Sequence, residues 1–187
     1  MLLRLKHWQI FLLIVGVPFA VQFIQNIWIL YSGKEMEANY PSLLGLILIV
    51  PLLVYFLWIG EVGKRFSKSE ASPPMKTRKF MLSLWVSGLS NLFLLGYFWS
   101  YPLYLDRVEG EEVIPITAIA LIVFIALLTL FHCLSFMAKA IVQLERGREI
   151  TSSEFFSEFV MAAILPIGIW FLQPRINRLG KEKNLTT

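Results

Sequence analysis

The sequence predicts an all-α, polytopic membrane protein. Two observations carry that expectation: long apolar runs alternate with short charged loops, and basic residues crowd into every second loop. The first four runs are roughly Ile10–Leu30, Leu43–Ile59, Phe80–Tyr101 and Pro115–Met137. A hydrocarbon core about 30 Å thick needs about 20 helical residues to cross it, and each run comes close. Lipid offers the backbone no hydrogen-bond partner, so runs of this kind are expected as helices. The 187 residues are 57% hydrophobic and 16% charged, below the usual quarter for a soluble domain. The spans use almost all of that length, which leaves no room for a folded extramembrane domain.

The first run follows Arg4 and Lys6, as a signal peptide would, but continues from Ile10 to Leu30, and Pro18-Phe19-Ala20 is a poor cleavage site. It is expected as a retained first span. With the second run it forms a hairpin over 8–60. A cytoplasmic connector follows at 61–79, containing the polar, proline-bearing stretch Ser67–Pro74. A second hairpin covers 80–145, its last helix continuing past the bilayer to about Glu145 and turning at Gly147. The two outer loops end at Pro41 and Pro115, which suit a first helical turn. Aligning these prolines gives an offset of 74, and Gly16 against Gly88 gives 72, a weak parallel repeat.

Lys and Arg set the expected orientation. The N-terminus, connector and segment after the fourth run hold eleven, against two (Lys34, Arg107) in the other loops. The N-terminus is therefore expected in the cytoplasm. The formal charge of +4 follows from this distribution and does not point to nucleic acid. Trp8, Trp28, Trp58, Trp85 and Trp99 fall near span ends, as an aromatic belt would.

The last segment, 151–179, is expected as an amphipathic or re-entrant helix. Thr151 and Glu154 have capping-box spacing, and the helix they start should break at Pro166 and Gly168. Phe159–Leu172 gives only 14 uncharged residues, about 21 Å of helix. A fifth full span would place Arg175, Arg178, Lys181 and Lys183 outside, against the charge rule. Re-entrance keeps them inside, with both alternatives open at this point.

Polar residues within spans are the first place to look for function. Gln22, Gln25 and Asn26 share one face of helix one by their spacing. Ser87 and Asn91 lie on helix three with Ser83, Ser90 and Gly88, and His132 lies on helix four near Thr129, Ser135 and Lys139. Interhelical hydrogen bonding and close packing account for these residue types. A substrate or ion path is the sharper alternative, with His132 as its titratable group. The middles of the four spans hold no carboxylate, which weakens a proton-coupled transporter. Enzyme motifs are missing: no H-E-x-x-H, no G-x-S-x-G, no phosphate loop and no metal-ligand spacing. The single Cys133 excludes a C-x-x-C pair and is expected to pack as a small apolar residue. No cofactor is expected.

The most distinctive string is Leu165-Pro-Ile-Gly-Ile-Trp-Phe-Leu-Gln-Pro-Arg-Ile-Asn177. It resembles the C-terminal signature of small, uncharacterised bacterial multi-span proteins that end in P-I-G-I-W-x-x-Q-P-[RK]-[IL]-N. That resemblance implies an inner-membrane protein and no known activity. By its chemistry, Trp170 should sit at an interface, Gln173-Pro174 should stop the helix, and Arg175 and Arg178 should meet lipid headgroups or a partner protein. The expected function is a non-enzymatic accessory or scaffold subunit that contacts membrane lipids and a protein partner or other copies of itself. The alternative is a small oligomeric transporter or pore using Gln22, Gln25, Asn26, Asn91 and His132.

Overall fold

The computed structural model describes residues 5–32, 41–69, 73–105, 116–164 and 167–183. All its regular structure is helical. In chain order the elements are α1 (His7–Phe11), a π-helical turn (Leu12–Gly16), α2 (Val17–Ser32), α3 (Pro41–Ser67), α4 (Thr77–Leu105) and α5 (Ile116–Arg146). A 3-10 turn (Ser152–Glu154), α6 (Phe156–Ala163) and α7 (Ile167–Glu182) complete the chain. Among the described residues three helices are long and apolar enough to cross a membrane: His7–Trp28, Thr77–Tyr97 and Thr117–Arg146. The second expected run lies within the continuous 27-residue α3, though the side chains of residues 41–48 fall outside the described set.

The π-turn was not foreseen. It widens the helix just before Pro18, whose ring cannot donate to the Ile14 carbonyl and would clash with it in a regular helix. The Val17 N–H instead reaches back to the Leu12 carbonyl. A π-bulge is a known way to absorb such a fault.

Each predicted stop near the C-terminus of α5 is present. Gly147 adopts φ +64° and donates its N–H to the Gln143 carbonyl at 2.8 Å, a left-handed cap that a side chain would strain. The Thr151 N–H then donates to Glu154 Oε2 at 2.9 Å, and its hydroxyl does so at 3.1 Å. This capping box opens a 3-10 turn, and the α-helix begins two residues later, at Phe156. Backbone N–H of Thr151 first, then Arg148, hold the Glu154 carboxyl down to about 2. A carboxyl lowered by folding stabilises the fold above its ordinary value near 4.5, and that contribution is lost as pH falls toward 2. The melting temperature of the wild type should therefore fall between pH 4.5 and 2, and Glu154→Gln should lose that component of the pH profile.

The core is concentrated at one end of the molecule. There the C-terminal halves of α3 and α5 meet the starts of α1 and α4, and α6 and α7 pack against them. Trp58, Phe66, Phe80, Met137, Ile141 and Ile169 are completely buried. Gly60 and Gly63 bring α4 close to α3; a Cβ at Gly63 would lie 2.5 Å from the Phe80 ring, which stacks on Phe136 at 4.4 Å. Toward the opposite end, α2, α4 and α5 turn large apolar side chains outward, Phe19, Phe23, Leu89, Leu121 and Phe124 among them. Contiguous exposed apolar surface of this extent marks a lipid- or protein-facing surface.

Trp58 corrects the aromatic-belt expectation. It is fully buried and hydrogen-bonded inside the core, whereas Trp8, Trp28 and Trp85 are exposed. The side chain of Trp99 lies outside the described residues.

Candidate functional site

Among the described residues, buried hydrogen bonds and ion pairs gather at the base of the C-terminal hairpin. α6 and α7 fold back on each other across the break between Ile164 and Ile167. Glu158 on α6 meets Arg175 on α7, Oε1 to NH1 at 2.6 Å, almost symmetrically about that break. The two helices are therefore antiparallel, and the chain returns to the end from which it left. The turn is tight because Gly168 lies against the backbone of α6. A Cβ there would fall 1.7 Å from the Met161 carbonyl oxygen, and the Gly168 N–H donates to the Ile164 carbonyl at 2.9 Å.

Pro166 has no N–H to offer the Ala162 carbonyl four residues earlier. The structure supplies a donor from elsewhere: the buried Tyr55 hydroxyl on α3 reaches the Ala162 carbonyl at 2.8 Å. Tyr55→Phe removes that buried hydrogen bond, at a cost of about 1–3 kcal/mol. The expected result is a lower midpoint of unfolding in mixed micelles and faster proteolysis at the hairpin.

α7 is pinned by Gln173, which is completely buried. Its Oε1 accepts from Trp58 Nε1 at 2.6 Å. Its Nε2 donates to the Leu5 carbonyl at 3.2 Å and to Asn177 Oδ1 at 3.0 Å. Asn177 Nδ2 donates to the same Leu5 carbonyl at 3.1 Å. One amide thus ties α3, the chain just before α1, and the next turn of α7. Trp170 adds edge-on contacts to His7 (4.7 Å) and Phe11 (5.4 Å), and is 46% exposed on its other side.

Charge is spent in two clusters at this end. Arg175 bridges Glu145 at the close of α5 and Glu158, with Arg178 on the outside, 3.4 Å from Glu145. Glu154 takes Arg146 and Arg148. Arg146, Arg148 and Arg178 stay partly exposed, whereas Glu158 is largely buried against Arg175. Burial pushes the Glu158 carboxyl up, but hydrogen bonds from Arg175 and then Ser157 outweigh it and leave the carboxyl below its ordinary range.

Two expectations about the string change. Gln173-Pro174 does not stop the helix: α7 runs through Pro174 to Glu182, because side chains on both sides of the proline are anchored. Arg175 is occupied by carboxylates of its own chain, so of the three expected headgroup or partner contacts only Trp170 and Arg178 are exposed.

The polar residues of the apolar helices do not converge. Gln22 and Asn26 are exposed on α2 and bond to each other, Nε2 to Oδ1 at 3.3 Å, while Gln25 turns inward and is buried. Ser87 is buried between α4 and α5, its hydroxyl 3.3 Å from the Ala126 carbonyl. Thr129 donates to the same carbonyl at 3.1 Å. Asn91 Nδ2 returns to the Ser87 carbonyl at 2.8 Å. His132, expected in the interior, is exposed on the outward face of α5, and Cys133 beside it is buried in the core.

Among the described residues all regular structure is helical, and three helices are long and apolar enough to span a membrane. No protein-family model, curated protein or solved structure matches it.

Proposed function

We propose that this chain is a non-enzymatic integral subunit of a bacterial inner-membrane complex, an accessory or scaffold protein that binds another membrane protein through α2. In this reading α3 is a fourth span, the N-terminus is cytoplasmic, and α6–α7 is a re-entrant hairpin whose tail returns to the cytoplasm. The loops with eleven basic residues support that orientation. The distinctive C-terminal string serves as the lock that holds the hairpin.

The observation that carries the subunit reading is the outward face of α2. Gln22 and Asn26 sit there among exposed Phe19, Phe23, Ile27 and Leu30. An amide has more donors and acceptors than one mutual hydrogen bond uses, and amides at this depth find their remaining partners on neighbouring helices. The scatter of Asn91 and His132 away from this face favours a subunit over a pore.

The test is purification from native membranes in mild detergent, with and without Gln22→Leu and Asn26→Leu. A stoichiometric partner that the double variant loses supports the proposal. A homo-oligomer alone, or a partner unaffected by both changes, contradicts it.

A further inference from the structure

We propose that the elbow joining α3 to α4 is a binding site for the headgroups of anionic phospholipids. Lys64 and Lys68 are exposed at the end of α3, and Lys76, Arg78 and Lys79 are exposed at the start of α4. The Ser67 and Thr77 hydroxyls lie 3.3 Å apart, so the two helix ends and their cations are held side by side. Phe80 packed over Gly63 fixes the same junction from within.

What distinguishes this cluster is that its charge is not consumed. At the hairpin base Arg146, Arg148, Arg175 and Arg178 all face glutamates. At the elbow Glu61 takes Arg65, at 3.2 Å, and the five other cations form no ion pair among the described residues. Glu70 lies outside those residues.

The position selects the ligand. Thr77 opens a helix apolar enough to enter a membrane, and Leu82, Trp85 and Leu89 are exposed along it. The cations therefore stand where that helix passes from apolar surroundings to water, the level of lipid phosphates. Clustered cations at this level are attracted to anionic leaflets, their contributions adding charge by charge. An acidic protein segment would match the charge but not the apolar wall that continues from it.

The site depends on the membrane reading and not on the α2 partner, so the two can fail separately. Detergent-solubilised protein is titrated with brominated phosphatidylglycerol or brominated phosphatidylcholine, and tryptophan quenching is read. The wild type should prefer phosphatidylglycerol by roughly tenfold or more in low salt. Lys76→Gln with Arg78→Gln and Lys79→Gln should bring that preference to about twofold or less, at an unchanged melting temperature. Arg178→Gln should leave it in place. Equal quenching by the two lipids would overturn the proposal, as would a preference that survives the triple change. Full competition by millimolar inorganic phosphate or by a poly-glutamate peptide would reassign the elbow to a soluble anion or an acidic partner.

Discussion

Gly168→Ala is expected to prise α7 away from α6. The new methyl would fall 1.7 Å from the Met161 carbonyl oxygen and 2.6 Å from its carbon. Both are backbone atoms, so no side-chain rotation relieves the overlap. One helix must move by more than an ångström, and Trp170, Gln173, Arg175 and Asn177 would leave register together. Overpacking typically costs 1–3 kcal/mol, and a clash against backbone should reach at least the upper end, about 3 kcal/mol. Equilibrium unfolding in mixed micelles measures it. Gly88→Ala is the matched control: a Cβ there meets nothing within 4 Å, so alanine should be neutral or slightly stabilising.

Arg175→Ala has the second large effect. The side chain of Glu158 is only 8% exposed, and Arg175 is its cation. Removing one partner of a largely buried pair strands the other, at about 3 kcal/mol. With Arg175 gone, the burial that pushes the Glu158 carboxyl up is opposed mainly by Ser157. The loss should therefore be larger at pH 7 than at pH 4.5, where the stranded carboxyl can take up a proton. Arg178→Ala, removing a side chain 63% exposed, should cost under about 1 kcal/mol. If the two variants lost equal stability, the Glu145–Arg175–Glu158 bridge would not be what holds the hairpin.

Most of the helical frame was legible because helices long and apolar enough to cross a membrane announce themselves by length and composition. The turn at Gly147 and the Thr151–Glu154 box were legible for a different reason: each is a local backbone device within a few residues. The partners of the C-terminal string were not. Trp58 and Gln173 are 115 residues apart, and Leu5 and Asn177 are 172 apart, distances at which spacing says nothing. Trp58 looked like a belt residue because it stands near the end of an apolar run, yet α6 and α7 cover that end. His132 looked interior because α5 is apolar all round, and periodicity does not say which side of such a helix packs. Pro18 was the one available signal for the π-turn, since its missing N–H had to be absorbed somewhere.

At the candidate site, the capping-box spacing of Thr151 and Glu154 was visible, but the partner of Glu158 was not. That Arg175 takes Glu158, with Glu145 on its other side, required the fold-back of α7 on α6. The string reads as a series of internal contacts: Gly168 for the crossing, Trp170 for α1, Gln173 for α3, Arg175 for α5 and α6, Asn177 for the chain before α1. The elbow cations carry the exposed charge that no ion pair takes up among the described residues.

The central claim is that the C-terminal hairpin returns to the side of the membrane it started from. Site-directed labelling tests it most directly, because Cys133 is completely buried and should stay silent in the folded protein. Lys6→Cys, Glu37→Cys and Lys183→Cys are each exposed in turn to a membrane-impermeant maleimide, in intact cells and in inverted vesicles. Lys6→Cys and Lys183→Cys should label together in inverted vesicles, and Glu37→Cys only in intact cells. Labelling of Lys183→Cys on the same side as Glu37→Cys would make the last segment a full span and contradict the account.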